Sequence, residues 1–410
     1  MKLKQIPEDF VVEEKIKLKT KSSGNFIYFW LTKKNWTTVR AIQEIARQCH
    51  TSFKRFKFAG NKDRQAITRQ AISAFKLSKE VLENVHLKDI QIEFIGFGDE
   101  PINLGTLEGN RFEIVLRDLD NSNSPLGAIP RTKVRGFYAP RLERRVGDLT
   151  KCALHPRAEA RSFRAFFHKK ELKQITANSK HITKTGFPNY FGKQRFGGGN
   201  THLVGREIIR GYFRDAVYHL LTYSEDLNKE TRASREFARE NFGKWNEILQ
   251  QWPKFLSLEK AVLNHLVRIP NDFAGALRKV PKPIRRMYVH AYQSYLWNKG
   301  VEAVLKSKTK PKKAYPVPGS KTKLGKDKFS QEVKKLLFAD NLTLDSFRCA
   351  RMPELASEGT IRAAVIKPKK LKVGKPERDE LNKDRLKVKL SFELPKGVYA
   401  TELVNALSRN

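Results

Sequence analysis

The residues best suited to chemistry lie between Phe56 and Gln70, FKFAGNKDRQAITRQ, where a carboxylate, Asp63, stands between two cations, Lys62 and Arg64. Phe56, Lys57 and Phe58 alternate apolar and polar, Gly60 interrupts the run, and Ala66 to Ala74 resume a β-compatible pattern, which predicts a strand, a tight polar loop and a second strand. Flanking positive charge favours the ionised carboxylate, and an aspartate is ionised near neutrality in any case. A positioned carboxylate can attack carbon without a general base. The same residue types also suit an ordinary turn, so the loop by itself leaves a nucleophile and a turn both open.

A second stretch, GFPNYFGKQRFGGGN from Gly186 to Asn200, interleaves Phe187, Tyr190, Phe191 and Phe196 with Asn189, Gln194 and Arg195. Aromatic faces stack on unpaired bases, and amides bond base edges. The glycines allow close backbone approach. Read alone, the stretch fits equally a Gly-rich turn whose aromatics pack in a core. Composition favours a polyanionic partner: Lys plus Arg number 81 against 43 for Asp plus Glu, a formal net charge of +38. Such an excess implies nucleic-acid binding that weakens steeply with salt.

Several classes are excluded. Asn61, Lys62 and Asp63 lack the spacer of the guanine-reading N-K-x-D motif, and no phosphate-cradling G-x-x-x-x-G-K-[ST] loop exists. The deaminase pattern H-x-E with P-C-x-x-C is absent, as is a dinucleotide fingerprint after a strand. The 3 cysteines, Cys49, Cys152 and Cys349, form no CxxC pair, so neither a disulfide framework nor a zinc ribbon is expected. No metal and no cofactor are expected, and side chains alone carry the chemistry. The opening MKLKQIPEDF has no apolar core of a leader, and no segment has the length of a membrane span. A monomeric cytoplasmic protein without membrane contact is expected.

Taken together, these stretches resemble the TruD family of tRNA pseudouridine synthases. AGNKDRQAITRQ is similar to the family's A-G-x-K-D-R-x-A-x-T-x-Q, matching at Ala59, Gly60, Lys62, Asp63, Arg64, Ala66, Thr68 and Gln70. PNYFGKQRFG is similar to its second signature, and HAYQSYLWN, from His290 to Asn298, to a third on a helix. Further matches are the opening DFVVEE, the run containing Gly24, Phe26, Phe29, Leu31, Lys33, Asn35, Thr38, Ala41 and Ile42, the strand GNRFEIVLRDL, and the closing LPKGVYATELVNAL. The resemblance implies that Asp63 is catalytic, that Lys4 and Phe10 lie near it, that Asn189 and Phe191 line a uridine pocket, and that Tyr399 lies beside the target base. Lys62, Gln194 and Arg195 complete the implied substrate-binding set. It implies uridine 13 of tRNA as the target, with the uracil detached at N1, turned and rejoined through C5. Direct attack by Asp63 on C1′, attack on C6 and abstraction of the C2′ proton all stay open. A non-catalytic tRNA-binding protein or chaperone on the same fold is the alternative, and a ribosome-associated basic protein a more distant one.

The elements that must position these residues follow from periodicity. Phe10, Val12 and Ile16 are the expected inward positions of an opening strand, and Phe26 to Leu31 form a second. Thr37 or Thr38 caps a helix with Val39, Ile42, Ile45 and Ala46 on one face. Leu87 to Phe97 and Asn110 to Leu116 read as further strands. Helical spacing runs through Arg232 to Leu249, Leu258 to Val267 and Ile284 to Val304. Ile361 to Ile366 and Leu386 to Leu394 read as strands joined by a charged loop from Lys367 to Asp384. His290 reads as a satisfied core or interface histidine, and Lys306 to Lys313 as a basic loop.

The expected fold class is α+β: a pseudouridine synthase core with a mainly antiparallel sheet, residues 1–214 and 355–410, interrupted by a mostly helical insertion, residues 215–354. The segment 118–186 departs from the family pattern by its length. It contains RTKVRGFYAPRLERRVG, an expected RNA-contacting loop, with His155 and His168 at the surface.

Overall fold

Pro7 restricts the backbone ahead of strand β1 (Phe10–Lys15), whose inward positions are Phe10, Val12 and Glu14. The structure, a computed structural model, describes residues 1–103, 105–120, 170–223, 228–307 and 309–409. The expected RNA-contacting loop within 118–186, with Cys152, His155 and His168, lies outside the described residues. The strand stops before Ile16, so the third inward place goes to a carboxylate. Ile16 packs half-buried in a small separate cluster with Tyr28, Ala71 and Ile102.

Strand β2 (Phe26–Lys34) leads into helix α1 (Thr38–Gln48), capped by Thr37 Oγ1, which accepts from Arg40 N at 3.2 Å. Ala41, Ile42, Ile45 and Ala46 pack with Ile27, Phe29, Leu31 and Phe56. Val39 is exposed instead, because in the first turn Thr38 takes the inward place. Then come β3 (Phe56–Phe58), β4 (Ile67–Phe75), β5 (Ile90–Gly98) and β6 (Gly109–Asp120).

These strands form one sheet in the order Lys369–Val373, Arg385–Pro395, β6, β1, β4, β2, β5, with β3 paired to β4. Every pairing is antiparallel except β1 with β4, where Val11, Val12 and Glu13 face Ile67, Thr68 and Arg69. Parallel neighbours start at the same end of a sheet, so the segment before β1, containing Lys4, and the loop before β4, containing Asp63, emerge side by side. The fold is α+β with a mainly antiparallel sheet, as expected.

Arg117 on β6 ties this end of the sheet together. Its buried guanidinium donates to Asp9 Oδ1 at 2.7 Å, Asp379 Oδ1 at 2.8 Å and Glu380 Oε1 at 2.9 Å. Asp9 Oδ2 accepts from the backbone N–H of Gln5 and Ile6 at 3.0 and 3.2 Å. Burial would lower the Arg117 pKa, but the hydrogen bonds to Glu380, Asp9 and Asp379 more than reverse it.

Three expectations are corrected. Within the supposed loop from Lys367 to Asp384, Lys369–Val373 and Glu377–Arg378 pair with Arg385–Pro395 as strands; their lysines are exposed, and Leu371 and Val373 supply only two half-buried apolar positions. Ile361 to Ile366 is two strands: Thr360–Ala363 pairs with Ala314–Val317, and Val365–Ile366 with Phe187–Pro188. The helical run Arg232 to Leu249 breaks at Gly243, φ 110°, into Lys229–Glu240 and Trp245–Gln250.

The chain divides into two compact units, one of Met1–Thr185, Pro368–Gly397 and Asn405–Asn410, the other of Gly186–Lys367 and Val398–Val404. Their breaks at Gly186 and Pro368 differ from the expected limits at 215 and 355, and the aromatic stretch belongs with the helices. The second unit is organised on the long helix Lys282–Lys306, which buries Tyr292, Leu296 and Trp297 and packs against Thr201–Arg210 and Lys328–Ala339. Among the described residues, no helix is long and apolar enough to cross a membrane.

Candidate active site

In the first unit, the Asp63 loop is braced from below by buried polar side chains. Gln70 Nε2 donates to Gly60 O at 3.1 Å, while Gln70 Oε1 accepts from Thr38 Oγ1 at 2.9 Å. Thr38 Oγ1 in turn accepts from Lys62 N at 3.0 Å. Lys33, wholly buried on β2, donates through Nζ to Trp36 O at 2.6 Å and to Asp63 O at 2.9 Å. Burial pushes the Lys33 pKa down to about 8, against the upward pull of Asp63, with Lys62 also lowering it. The backbone of the loop is therefore fixed on both sides of Asp63.

Among the described residues, a cation on the Asp63 carboxylate is Lys4, whose Nζ donates to Oδ2. Lys62 and Arg64, the expected flanking charges, turn elsewhere. Lys62 Nζ is buried 2.6 Å from Asn110 Oδ1 and 3.1 Å from Glu14 Oε1, and Arg64 Nε donates to Asn35 O at 3.3 Å. The Lys62 ammonium, expected to bind substrate, is thus engaged inside the protein. Glu14 is held through Oε2, which accepts from Ala71 N at 3.0 Å.

Lys4 adopts the left-handed region, φ 56°, a conformation costing about 1 kcal/mol or more for a residue with a Cβ. It is secured by Gln65 Nε2 donating to Lys4 O at 2.6 Å. Its ammonium lies 3.9 Å from the centre of the Phe10 ring. Phe10 is buried beneath it, a platform for the lysine. The Asp63 side chain itself is 37 % exposed, open to a reactant while its anchors are not.

In the second unit, Asn189, Phe191, Arg195 and Tyr399 come together. Asn298 on the long helix clamps Phe191 from both backbone sides: its Oδ1 accepts from Phe191 N and its Nδ2 donates to Phe191 O, each at 2.9 Å. Trp297 meets the Phe191 ring edge-on at 5.6 Å, and Tyr399 lies 6.5 Å from it. A Cβ on Gly192 would stand 3.0 Å from the Tyr399 ring, tighter than ordinary contact, so a side chain there would require the ring to give by a few tenths of an ångström. The Arg195 guanidinium is 5.4 Å from the Phe191 ring centre, with Nε buried and, among the described residues, without a hydrogen-bond partner. Gln194 lies exposed in the Lys193–Phe196 turn. His290 is half-buried and its pKa lowered, first by burial and then by Arg195 and Arg286.

Arg362 is a member of this cluster that the sequence reading missed. Its guanidinium lies 4.0 Å from the Phe191 ring centre and 5.4 Å from that of Trp297. It donates to Asn189 O at 2.9 Å, Asn189 Oδ1 at 2.8 Å and Tyr190 O at 3.3 Å. Burial lowers its pKa to about 10, the Tyr399 hydroxyl opposing and Arg195 assisting. Arg362 stands inside the run expected to be a simple strand, where a single arginine carries no motif signal. The anchoring roles of Lys33, Thr38, Gln70 and Glu14 were likewise not foreseen.

Among the described residues, no group of three or more His, Cys, Asp or Glu is placed to hold a metal ion. The model of the family described as tRNA pseudouridine synthase D (TruD) matches residues 1–134, 164–316 and 305–407. A protein of Methanosarcina acetivorans described as probable tRNA pseudouridine synthase D is 31% identical over 450 residues, covering 98% of this chain and 91% of its own length. One of the same description from Thermococcus sibiricus is 29% identical, covering 100% of this chain and 95% of its own. A crystal structure of a Methanosarcina mazei protein assigned to TruD superposes with a TM-score of 0.69 at 28% identity, covering 99% of this chain and 93% of that one. With the braced carboxylate, the clamped aromatic and these matches along its length, the chain belongs to the tRNA pseudouridine synthase D family.

Proposed function

We propose that this protein isomerises uridine 13 of tRNA to pseudouridine, with Asp63 as the catalytic residue. The observation that carries the proposal is the Asp63 carboxylate itself, partly exposed and paired with Lys4, on a backbone held by buried Lys33, Thr38 and Gln70. Such preorganisation is what a reacting group needs and what a simple turn does not.

The target base must leave the helical stack before its glycosidic bond can be reached. The C1′–N1 bond breaks, the uracil turns, and a C1′–C5 bond forms; C5 loses a proton and N1 gains one, so no oxidant or reductant is consumed. Asp63 serves this sequence by attacking C1′, by attacking C6, or by removing the C2′ proton. Lys4 pairs with the carboxylate and orients it, and Phe10 supports Lys4. Phe191 and Tyr399 receive the base, Asn189 offers it a hydrogen bond, and Gln194 and Arg195 reach for neighbouring RNA. Lys62 contributes by holding the loop. Residues 1–214 and 355–410 form the catalytic domain in this reading, with 215–354 inserted, and the protein acts as a cytoplasmic monomer.

Asp63→Asn tested on unmodified tRNA distinguishes this reading from a non-catalytic tRNA-binding protein. Binding should survive and pseudouridine at position 13 should vanish. Equal product from the variant would remove Asp63 from its role, and tRNA binding by the wild type without any product would favour the binding protein.

A further inference from the structure

The Asn189 side chain is held in one orientation by two bonds of opposite kind. Its Oδ1 accepts from Arg362 Nη2 at 2.8 Å, and its Nδ2 donates to Ala363 O at 3.0 Å. Turning the amide over would set an NH2 group against a guanidinium and an oxygen against a carbonyl, two repulsive contacts in a residue only 4 % exposed. Arg362 is itself fixed by its bonds to Asn189 O and Tyr190 O and by the Phe191 ring 4.0 Å away. A guanidinium fork makes these planar contacts where a lysine ammonium cannot.

We propose that Arg362 is a positioning residue that determines base specificity by locking the Asn189 amide with its oxygen turned inward, leaving a single N–H to meet the base. This inference rests on the proposed role of Asn189 in receiving a uridine. With both inward bonds made, the amide has one N–H left among its four hydrogen-bonding positions for which it needs an acceptor. Uracil offers a carbonyl oxygen at C4. Cytosine offers an amino group there, so two donors would face one another and neither would be satisfied. The protonated guanidinium persists at neutral pH, since burial leaves its pKa at about 10.

The test measures equilibrium binding of two unmodified tRNA transcripts, identical except for uridine or cytidine at the converted position, in the Asp63→Asn background. The uridine transcript should bind roughly tenfold more tightly. Arg362→Lys and Arg362→Gln should each bring that ratio to about 1, with the change falling on the uridine transcript and Arg362→Lys giving no rescue. An unchanged ratio in a variant with a wild-type melting profile overturns the proposal. So does equal binding of the two transcripts before Arg362 is altered, an outcome needing no variant to fold. Absence of pseudouridine from the wild type would count against the proposed reaction and not against the amide lock, because the binding ratio is read independently of turnover.

Discussion

Replacing Lys33 by methionine should separate activity from stability. In the native protein the Lys33 ammonium is wholly buried, its pKa drawn from an ordinary 10.5 to about 8, which corresponds to roughly 3 kcal/mol against keeping it charged. Methionine removes that cost but leaves Trp36 O and Asp63 O without this donor, at about 1–3 kcal/mol each. The two effects oppose, and the net change in folding stability should lie between about 1 kcal/mol gained and about 3 kcal/mol lost. Activity has no such compensation. Freed of its anchor, the Asp63 backbone can shift by an ångström or so, a displacement worth on the order of 100-fold in rate.

The assay is pseudouridine formation on unmodified tRNA, run beside thermal melts from pH 7 to pH 10. The sign of the pH effect follows from the lowered pKa. Below about 8 both folded and unfolded Lys33 are protonated, and the burial cost is fully present. Between about 8 and 10.5 the unfolded chain binds the extra proton, so wild-type stability gains with pH and the variant's advantage shrinks. Asp63 and Lys62 are the charged groups that bear on this titration. Lys33→Met with activity within about threefold of wild type, well inside the predicted loss, would refute the reasoning.

Asn298→Ala removes both bonds to the Phe191 backbone and should lower kcat/KM about tenfold or more; an unchanged value would show that Trp297 packing alone places the ring. Glu14→Ala strands the buried Lys62 ammonium with only Asn110 and should cost about 3–5 kcal/mol in a denaturant titration, whereas a loss below about 1 kcal/mol would mean the pair contributes little. Given the net charge of +38, tRNA affinity should fall at least about 100-fold between 50 and 200 mM salt in a binding titration. A flat salt response would argue against phosphate contacts as the source of affinity.

The strands around Asp63 were legible because their apolar residues alternate, and α1 because its cap and inward face are both local signals. The anchors were harder to read because a buried charge looks like a solvated one in a sequence. Parity was the available clue. Lys33 follows Phe29 and Leu31 at the inward spacing of β2, and Glu14 follows Phe10 and Val12 on β1. A charge on the inward side of a strand needs a partner, and here each one holds the Asp63 loop. The pairing of Asp63 with Lys4 was not readable from neighbours, since it depends on β1 and β4 running parallel. In Lys369–Val373 only Leu371 and Val373 make an apolar face, too short a run to stand out among the lysines. Arg362 gave no signal until Asn189 and Phe191 were beside it.

The hub at Arg117 bears on how the protein is made. Asp9 and Arg117 leave the ribosome early, but Asp379, Glu380 and the strand Arg385–Pro395 that flanks β6 follow only after the whole helical half has been synthesised. Until then β6 exposes an unpaired edge, and a third of a guanidinium's partners are in place for an arm that must present Lys4 to Asp63. Chaperone protection of that edge during translation matters more here than for a protein whose sheet closes in chain order.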